Sequence, residues 1–160
     1  MPPEVVRRAG LRDLDLLVLH RRKMWEDIGG RKTRDLDAAD PVYRRWARQR
    51  IKSGRLVGWV VEVRGAPVAS GCVWVQEAQP RPGWKGTKQA YLLSVYTAPE
   101  FRGRGFATRI TREAVRWSKA AGLDRMTLHA SEEARGVYAR FGFDRTREMR
   151  LLLKPPRRRL

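Results

Sequence analysis

The segment Arg102-Gly103-Arg104-Gly105-Phe106-Ala107-Thr108 is the part of the chain best suited to binding a phosphorylated ligand. It follows an apolar run with strand composition and precedes a stretch with helical spacing, so it predicts a tight turn at a helix N-terminus. Backbone N–H groups at such a terminus have no partner within the helix, and the helix dipole is positive there. Gly103 and Gly105 allow close approach to the backbone, while Arg102 and Arg104 add charge. The segment therefore predicts a site for a phosphate or a pyrophosphate.

Other interpretations of this turn differ in what it would bind. A P-loop requires the string GxxxxGK[ST], which the sequence does not contain. A dinucleotide fingerprint requires GxGxxG after the first strand, but Thr108 stands at the third glycine and the turn follows the fourth predicted strand. Asp124 lies near the acidic position of that fingerprint, so this interpretation stays open, as does a surface turn with solvated arginines.

Helices around the turn are predicted from apolar spacing and from capping residues. Residues 11–25 and 105–121 have apolar side chains at helical spacing, and Gly122 is placed to end the second helix. Asp40 followed by Pro41 predicts the start of a helix over 41–52, after a loop over 27–40. Ser131 predicts the N-cap of a short helix that ends at Gly142.

Strands are predicted where β-branched and aromatic residues cluster or alternate with charged ones. Arg64-Gly65-Ala66 separates two runs rich in valine and tryptophan and predicts a hairpin. Met149, Leu151 and Leu153 alternate with other residues and predict a last strand. The complete set of predicted strands is 4–8, 56–63, 67–76, 91–97, 125–129 and 149–153.

The composition favours a single domain without metal or disulfide chemistry. The 160 residues, 42% of them apolar, suffice for one core, so we expect a domain over 1–154 and a basic tail over 155–160. Cys72 is the single cysteine, and His20 and His129 are far apart in sequence, so no disulfide or metal site is indicated. No apolar run is long enough for a membrane span, and we expect a soluble, cytoplasmic protein.

The formal net charge of +18 raises the question of a polyanionic partner. The excess is arginine spread along the whole chain, which fits a GC-rich genome or a hot habitat as well as it fits nucleic-acid binding. A nucleic-acid role is therefore open but not favoured.

Two signatures together resemble the GNAT (GCN5-related) N-acetyltransferase family. Arg102-x-x-Gly105-x-Ala107 is similar to the family's Q/R-x-x-G-x-G/A pyrophosphate signature and follows the family's typical run, here Thr97-Ala98-Pro99-Glu100-Phe101. Further along, Leu128-His129-Ala130-Ser131 and then Val137-Tyr138-Ala139-Arg140-Phe141-Gly142-Phe143 resemble the second signature, a strand followed by YxxxGF. The resemblance covers residues 55–153 well and the first two helices more loosely.

The resemblance implies an α/β fold with a mixed, mostly antiparallel central sheet of six to seven strands and about four flanking helices. In this family the fourth and fifth strands splay apart, and the pantetheine arm of the cosubstrate acetyl-CoA lies in the gap. No metal is implied. The implied contacts are backbone groups of Val95, Tyr96 and Thr97 for pantetheine, a pyrophosphate cradle of Arg102, Gly103, Arg104, Gly105, Phe106, Ala107 and Thr108, and side chains of Ser131 and Tyr138. Ser131 stands where relatives often carry an asparagine that touches pantetheine.

The implied reaction is N-acetylation of a primary amine, in a small molecule or a protein, by direct attack on the thioester. Tyr138 matches the family's general acid, whereas without the resemblance it would be an ordinary core aromatic. The fourth strand lacks the carboxylate that some relatives use as a base. Candidate bases are Glu26 and Asp27, ranked first, and Glu77 acting through water; each is otherwise a solvated surface acid.

The remaining notable side chains have structural interpretations. Trp59 and Trp74 are expected in the core, and Trp84, in a Pro/Gly-rich loop over 78–89, is the expected acceptor contact. His129 is expected to be packed or hydrogen-bonded, and Cys72 to be a small buried residue.

Two other functions stay open beside acetyl transfer. One is a basic nucleic-acid or ribosome-associated protein on the same fold. The other is a CoA-binding sensor without turnover, which the missing carboxylate on the fourth strand permits. The resemblance is compatible with a homodimer, because many relatives dimerise, and no membrane partner is expected.

Overall fold

The computed structural model describes residues 3–154, which form parts of two compact units, Met1–His129 and Ala130–Leu160. The first unit holds the sheet and three long helices, and the second holds one short helix. In chain order the elements are β1 Glu4–Arg8, α1 Leu14–Ile28, α2 Thr33–Lys52, β2 Leu56–Val63, β3 Ala66–Glu77, β4 Lys88–Thr97, α3 Phe106–Ala120, β5 Met126–Leu128 and α4 Arg135–Ala139, with single 3₁₀ turns at Leu11–Asp13 and Pro99–Phe101.

The strands form one mixed sheet in the order β1-β2-β3-β4-β5. The first three pairs are antiparallel, and β4 and β5 are parallel, as expected where α3 makes the crossover between them. The predicted hairpin is confirmed: β2 and β3 are joined by Arg64 and Gly65, with φ values of 53° and 76°. Two consecutive residues with positive φ match the right-handed twist of the strands.

Helices cover both faces of the sheet. One core cluster joins α1 and α2 to the sheet through Leu17, Tyr43 and Cys72, with Leu93 packed against it. The other joins α3 to the opposite face through Phe106, Ile110 and Val61. The sheet is therefore the middle layer, with α1 and α2 on one face and α3 on the other.

A bulge in β4 reverses which residues face α1. Ser70 on β3 pairs with Tyr96 and Cys72 pairs with Leu93, so Ser94 and Val95 together oppose Gly71. Ser94 has a φ of 55°, a left-handed conformation that accommodates the extra residue. The bulge places both Leu93 and Tyr96 towards α1, although they are three residues apart.

Five strands are present among residues 3–154, so the prediction of six to seven strands was wrong in number. The missing strand is the predicted one over 149–153, where the structure has no strand. Met149, Leu151 and Leu153 are 93%, 81% and 86% exposed. An alternating segment forms a strand only where it can hydrogen-bond to another strand and bury one face in a core. Residues 149–153 do neither. The predicted tail over 155–160 lies outside the described residues.

The start of the second helix was also wrong in the sequence-based prediction. α2 begins at Thr33, so Pro41 lies inside the helix and the loop between α1 and α2 is confined to residues 29–32. The helix continues through Pro41 because Leu36 and Tyr43, two turns apart, are both buried on one face. Asp37 and Asp40 also bind Arg22 of α1, at 2.7 and 2.9 Å. Tertiary packing thus outweighs the local capping signal at Asp40.

Smaller differences concern the caps. Ser131 accepts a hydrogen bond from the backbone N–H of Ala134 at 3.3 Å, so it caps the turn before α4, and Ala134 is the N-cap residue of the helix itself. α4 ends at Ala139, three residues before the predicted end at Gly142, which has a φ of 91° in the turn that follows. No helix within residues 3–154 is long and apolar enough to cross a membrane.

Candidate active site

The predicted splaying of the fourth and fifth strands is present. β4 and β5 pair only over Ala90, Tyr91 and Leu92, which face Met126, Thr127 and Leu128. β4 continues to Thr97, whereas β5 ends at Leu128. We call the point where the strands part, between Leu92 and Leu128, the fork. Beyond the fork, the edge of β4 that faces away from β3 has no strand partner in the described part of the sheet. Such an edge can pair with an extended ligand that contains amides.

The predicted phosphate turn lies directly after this open edge. Gly103 and Gly105 have φ values of 76° and 81°, and Gly105 is the N-cap of α3. A side chain at either position would be strained, because L-residues rarely adopt this conformation. The cap has no side-chain hydrogen bond, so the N–H groups of the first turn of α3 are available to an anion.

Arg102 is held beside the turn by three contacts. Its Nε donates to the carbonyl oxygen of Thr97 at 3.0 Å, and its Nη2 donates to Oδ2 of Asp27 at 2.6 Å. Its guanidinium also lies 5.9 Å from the ring centroid of Tyr96. The side chain therefore connects the end of α1 to the end of β4 and bears positive charge where the predicted pyrophosphate would bind.

The three candidate carboxylates have different surroundings, although Glu26 and Asp27 are neighbours at the end of α1. Asp27 is paired with Arg102, next to the phosphate turn. Glu26 accepts a hydrogen bond from Arg22 at 3.0 Å, and the same arginine binds Asp37 and Asp40 of α2. Glu77 is exposed at the end of β3, across from Lys88, and lines an open cavity of about 390 Å³ beside Trp74. The structure does not bring Glu77 to Glu26 or Asp27, because Glu77 stands at the start of β4 and Asp27 near its end.

A buried hydrogen bond and a ring contact, both made by His20, join α1 to the middle of the sheet. His20 is 5% exposed, and its Nδ1 is 2.8 Å from the hydroxyl of Ser70. Its ring packs on Tyr96 with centroids 4.9 Å apart. Burial lowers the pKa of His20 to about 4 and also raises the pKa of Tyr96, with the charge of Asp27 adding to the second effect. His20 is therefore neutral at physiological pH.

A second histidine lies at the fork itself. His129 follows the last residue of β5 and is exposed, and its Nδ1 is hydrogen-bonded to the hydroxyl of Tyr91. The two ring centroids are 5.6 Å apart. Trp74, half-buried instead of fully in the core, lies across from Tyr91 on β3 with its ring at 76° to the tyrosine. The sequence analysis did not predict the hydrogen bond between Tyr91 and His129, because it depends on the register of β4 against β5, which is a tertiary property.

In the second unit, Tyr138 of α4 is 8% exposed and packs edge-on against Phe143 at 5.8 Å. Burial raises the pKa of Tyr138, so the phenol is protonated at neutral pH. This protonation state is the one that a general acid requires.

The remaining side chains lie away from the fork. Trp84 is 47% exposed in the loop between β3 and β4, where it lines a small cavity with Asp124 and Arg125. Trp59 and Cys72 are buried as expected, and burial raises the pKa of the Cys72 thiol to about 12. Within residues 3–154 no group of three or more His, Cys, Asp or Glu side chains is arranged to hold a metal ion.

Comparisons with known proteins agree with this geometry. The model of the acetyltransferase (GNAT) family matches residues 21–143. An uncharacterized N-acetyltransferase of Methanocaldococcus jannaschii is 30% identical over 108 residues, which are 64% of this chain and 44% of that protein. The chain thus spans less than half the length of this curated relative.

Solved structures are similar over nearly the whole chain. A GCN5-related N-acetyltransferase from Ralstonia eutropha JMP134 is 32% identical with a TM-score of 0.87, covering 94% of this chain and 99% of its own. A predicted acetyltransferase from Clostridium acetobutylicum, solved with acetyl-CoA, is 27% identical with a TM-score of 0.86, covering 94% and 96%. The aminoglycoside N-acetyltransferase AAC(6')-Iy, at 18% identity and a TM-score of 0.72, shares the fold. The chain belongs to the GNAT acetyltransferase family.

Proposed function

We propose that the protein transfers the acetyl group of acetyl-CoA to a primary amine by direct attack of the amine on the thioester. The supporting observation is that the open edge of β4 and the glycine turn before α3 follow one another directly. The open edge of β4 beyond Leu92 leads directly into the turn with left-handed Gly103 and Gly105 at the N-terminus of α3. An extended arm followed by a pyrophosphate, as in CoA, needs this order of an amide edge and an anion site.

The residues of this chain divide the work of binding. Backbone groups of Val95, Tyr96 and Thr97 pair with the pantetheine amides, and the N–H groups from Gly103 to Thr108 receive the pyrophosphate. Arg102 and Arg104 supply charge beside them. Ser131 contacts the pantetheine arm. The clearest fit is at the glycines, where only a residue without Cβ adopts the observed conformation without strain.

The chemical step needs one group that gives a proton and one that takes a proton. Tyr138, kept protonated by burial, gives its proton to the thiolate as the C–S bond breaks. N–H groups of β4 near the fork stabilise the negative charge that develops on the carbonyl oxygen. The attacking amine must be neutral, and the group that receives its proton is considered in the next subsection.

Thermal stabilisation by ligands tests the proposal, because a ligand raises the melting temperature only by binding the folded state. Acetyl-CoA is compared with ATP, NADH and dephospho-CoA at matched ionic strength. Gly105→Val is expected to remove the acetyl-CoA shift. Gly122→Val is the matched control, because Gly122 has a similar φ of 74° at the other end of α3 and equally open surroundings. Both variants carry a similar backbone strain of about 1–2 kcal/mol.

A shift selective for acetyl-CoA, lost in Gly105→Val and kept in Gly122→Val, supports the site. Equal shifts for all four nucleotides would contradict it and favour a non-selective anion surface. Release of the CoA thiol during incubation with a panel of small amines, amino acids and peptides then tests turnover. Binding without thiol release across the panel would favour a CoA sensor, which is the alternative function.

Several expectations complete the proposal. The chain works as one catalytic domain over residues 1–154, in the cytoplasm, as a monomer or a homodimer. Nucleic acid is not a favoured partner, and retention on RNA near physiological salt that survives Gly105→Val would reverse this ranking.

A further inference from the structure

We propose that His129 is the general base that accepts the proton of the attacking amine, and that Tyr91 is the positioning residue whose hydroxyl oxygen accepts a hydrogen bond from Nδ1 of His129. This inference rests on the proposed function. It assigns a role to the hydrogen-bonded pair at the fork, where β4 and β5 part.

The first argument concerns where the acyl end of the ligand must lie. A ligand strand that starts from the phosphate turn runs back along the open edge of β4, from Thr97 towards Leu93. It cannot pass Leu92, because β5 occupies the same edge from Leu92 onward. The far end of the arm, which carries the thioester, therefore stops at the fork. His129 is the first residue after β5 and is exposed at this point.

The second argument concerns the rival carboxylates, which lie near the two ends of β4. Glu77 stands opposite Lys88 in the register of β3 and β4. Lys88 lies four residues before Leu92, or roughly 13 Å along the strand. Asp27 is bound to Arg102, which is hydrogen-bonded to Thr97 at the far end of β4. Thr97 lies five residues beyond Leu92, or roughly 16 Å along the strand in the other direction. Both separations along the strand exceed the reach of direct proton transfer, so from these places the carboxylates could act only through water, whereas His129 stands at the fork itself.

The third rival, Glu26, is tied to Arg22. That arginine also binds Asp37 and Asp40, so Glu26 belongs to the α1–α2 interface. Its charge is compensated there.

The proton balance requires one tautomer of His129. With the proton on Nδ1, the ring donates to the hydroxyl oxygen of Tyr91 and Nε2 keeps a free lone pair. The amine nitrogen forms the C–N bond with the acetyl carbon, the C–S bond breaks, and the amine proton passes to Nε2. Tyr138 supplies the proton that the thiolate takes. The imidazolium then releases its proton to solvent, and the Tyr138 phenolate takes a proton from solvent, so both side chains return to their starting forms.

Tyr91 is well supported for this task. Trp74 lies directly across from it on β3, with ring centroids 6.5 Å apart, and Trp46 of α2 packs edge-on against Trp74 at 5.0 Å. Arg50 covers Trp46 with its guanidinium 4.4 Å from the ring centroid. The row of aromatic rings limits the rotation of Tyr91 and therefore of the imidazole bonded to it.

Steady-state kinetics test the base directly. His129→Gln keeps a polar side chain that cannot accept a proton, and we expect kcat to fall about 100-fold or more with an unchanged melting shift from acetyl-CoA. In His129→Ala, added imidazole is expected to restore part of the turnover, which a merely structural role would not allow. A His129→Gln enzyme with the turnover of the original protein would overturn the inference and leave the proposed function intact. A hundredfold fall in kcat in Glu77→Gln, with His129→Gln unaffected, would also overturn the inference.

A second measurement needs no acceptor. Two-bond ¹H–¹⁵N spectra of the protein labelled in its two histidines report which ring nitrogen carries the proton. We expect His129 protonated on Nδ1, and a change towards the Nε2–H form in Tyr91→Phe. An Nε2–H tautomer in the original protein would refute the assignment whether or not any amine is acetylated. Failure of acetyl-CoA to bind would instead refute the proposed function.

Discussion

Two tyrosine–histidine pairs lie along β4, and they differ in environment far more than in geometry. The rings of His20 and Tyr96 are 4.9 Å apart at 50°, and those of His129 and Tyr91 are 5.6 Å apart at 54°. His20 is buried on the face of α1 that packs against the sheet, whereas His129 is exposed at the fork. The same two residue types thus serve packing at one site and can serve proton transfer at the other.

Desolvation explains the difference. The charged imidazolium is disfavoured in a dry interior, so the pKa of His20 falls to about 4 and its ring stays neutral. Its Nδ1 is used by Ser70, which ties α1 to β3. A base must exchange protons with substrate and solvent, and only the histidine at the fork is accessible for this. Five variants, grouped in three comparisons, test how strictly the two roles are separated.

The largest expected effect is on stability at the buried pair. His20→Ala leaves a cavity and removes the partner of the Ser70 hydroxyl, so we expect the free energy of unfolding to fall by about 3–5 kcal/mol. His129→Ala, at an exposed position, should change it by less than about 0.5 kcal/mol. Urea unfolding at pH 7 measures both. Similar losses of unfolding free energy in the two variants would show that His129 also stabilises the fold.

The next effect is the pH dependence of stability. The folded-state pKa of His20 is about 4 and its ordinary value is 6.5, so between these values the unfolded chain binds the proton and the folded chain does not. Stability is therefore lost as the pH falls from about 6.5 to about 4, by at most about 1.4 kcal/mol per pH unit from this group.

The substitution His20→Gln should flatten this part of the pH profile, and His129→Gln should leave it unchanged. Urea unfolding at half-unit pH steps provides the comparison. An undiminished slope in His20→Gln would assign the loss to other groups.

The smallest effect is expected from the hydroxyl of Tyr91. Tyr91→Phe keeps the aromatic row with Trp74 and removes the group that orients His129, so we expect kcat to fall about tenfold, or about 1.4 kcal/mol, with KM for acetyl-CoA unchanged. Measuring kcat and KM separately is essential here. A rise in KM without a change in kcat would make Tyr91 a binding residue instead.

Local signals predicted much of this molecule. The strands Glu4–Arg8 and Leu56–Val63, the hairpin at Arg64 and Gly65, and the helix that follows Gly105 were all correct, because each depends on neighbouring residues. The start of α2 and the strand over 149–153 were wrong, because tertiary packing decides where a helix continues and whether an alternating segment is paired.

The candidate site divides in the same way. The sequence by itself determined the glycine turn that we propose as the pyrophosphate site, since left-handed glycines and a helix N-terminus are encoded within a few residues. Only the tertiary structure decided which histidine is buried, where Asp27 and Glu77 lie, and that Tyr91 meets His129. These contacts join residues far apart in the chain, such as 38 positions for Tyr91 and His129 and 75 for Asp27 and Arg102. Strand register and helix packing set them, and no local pattern specifies either.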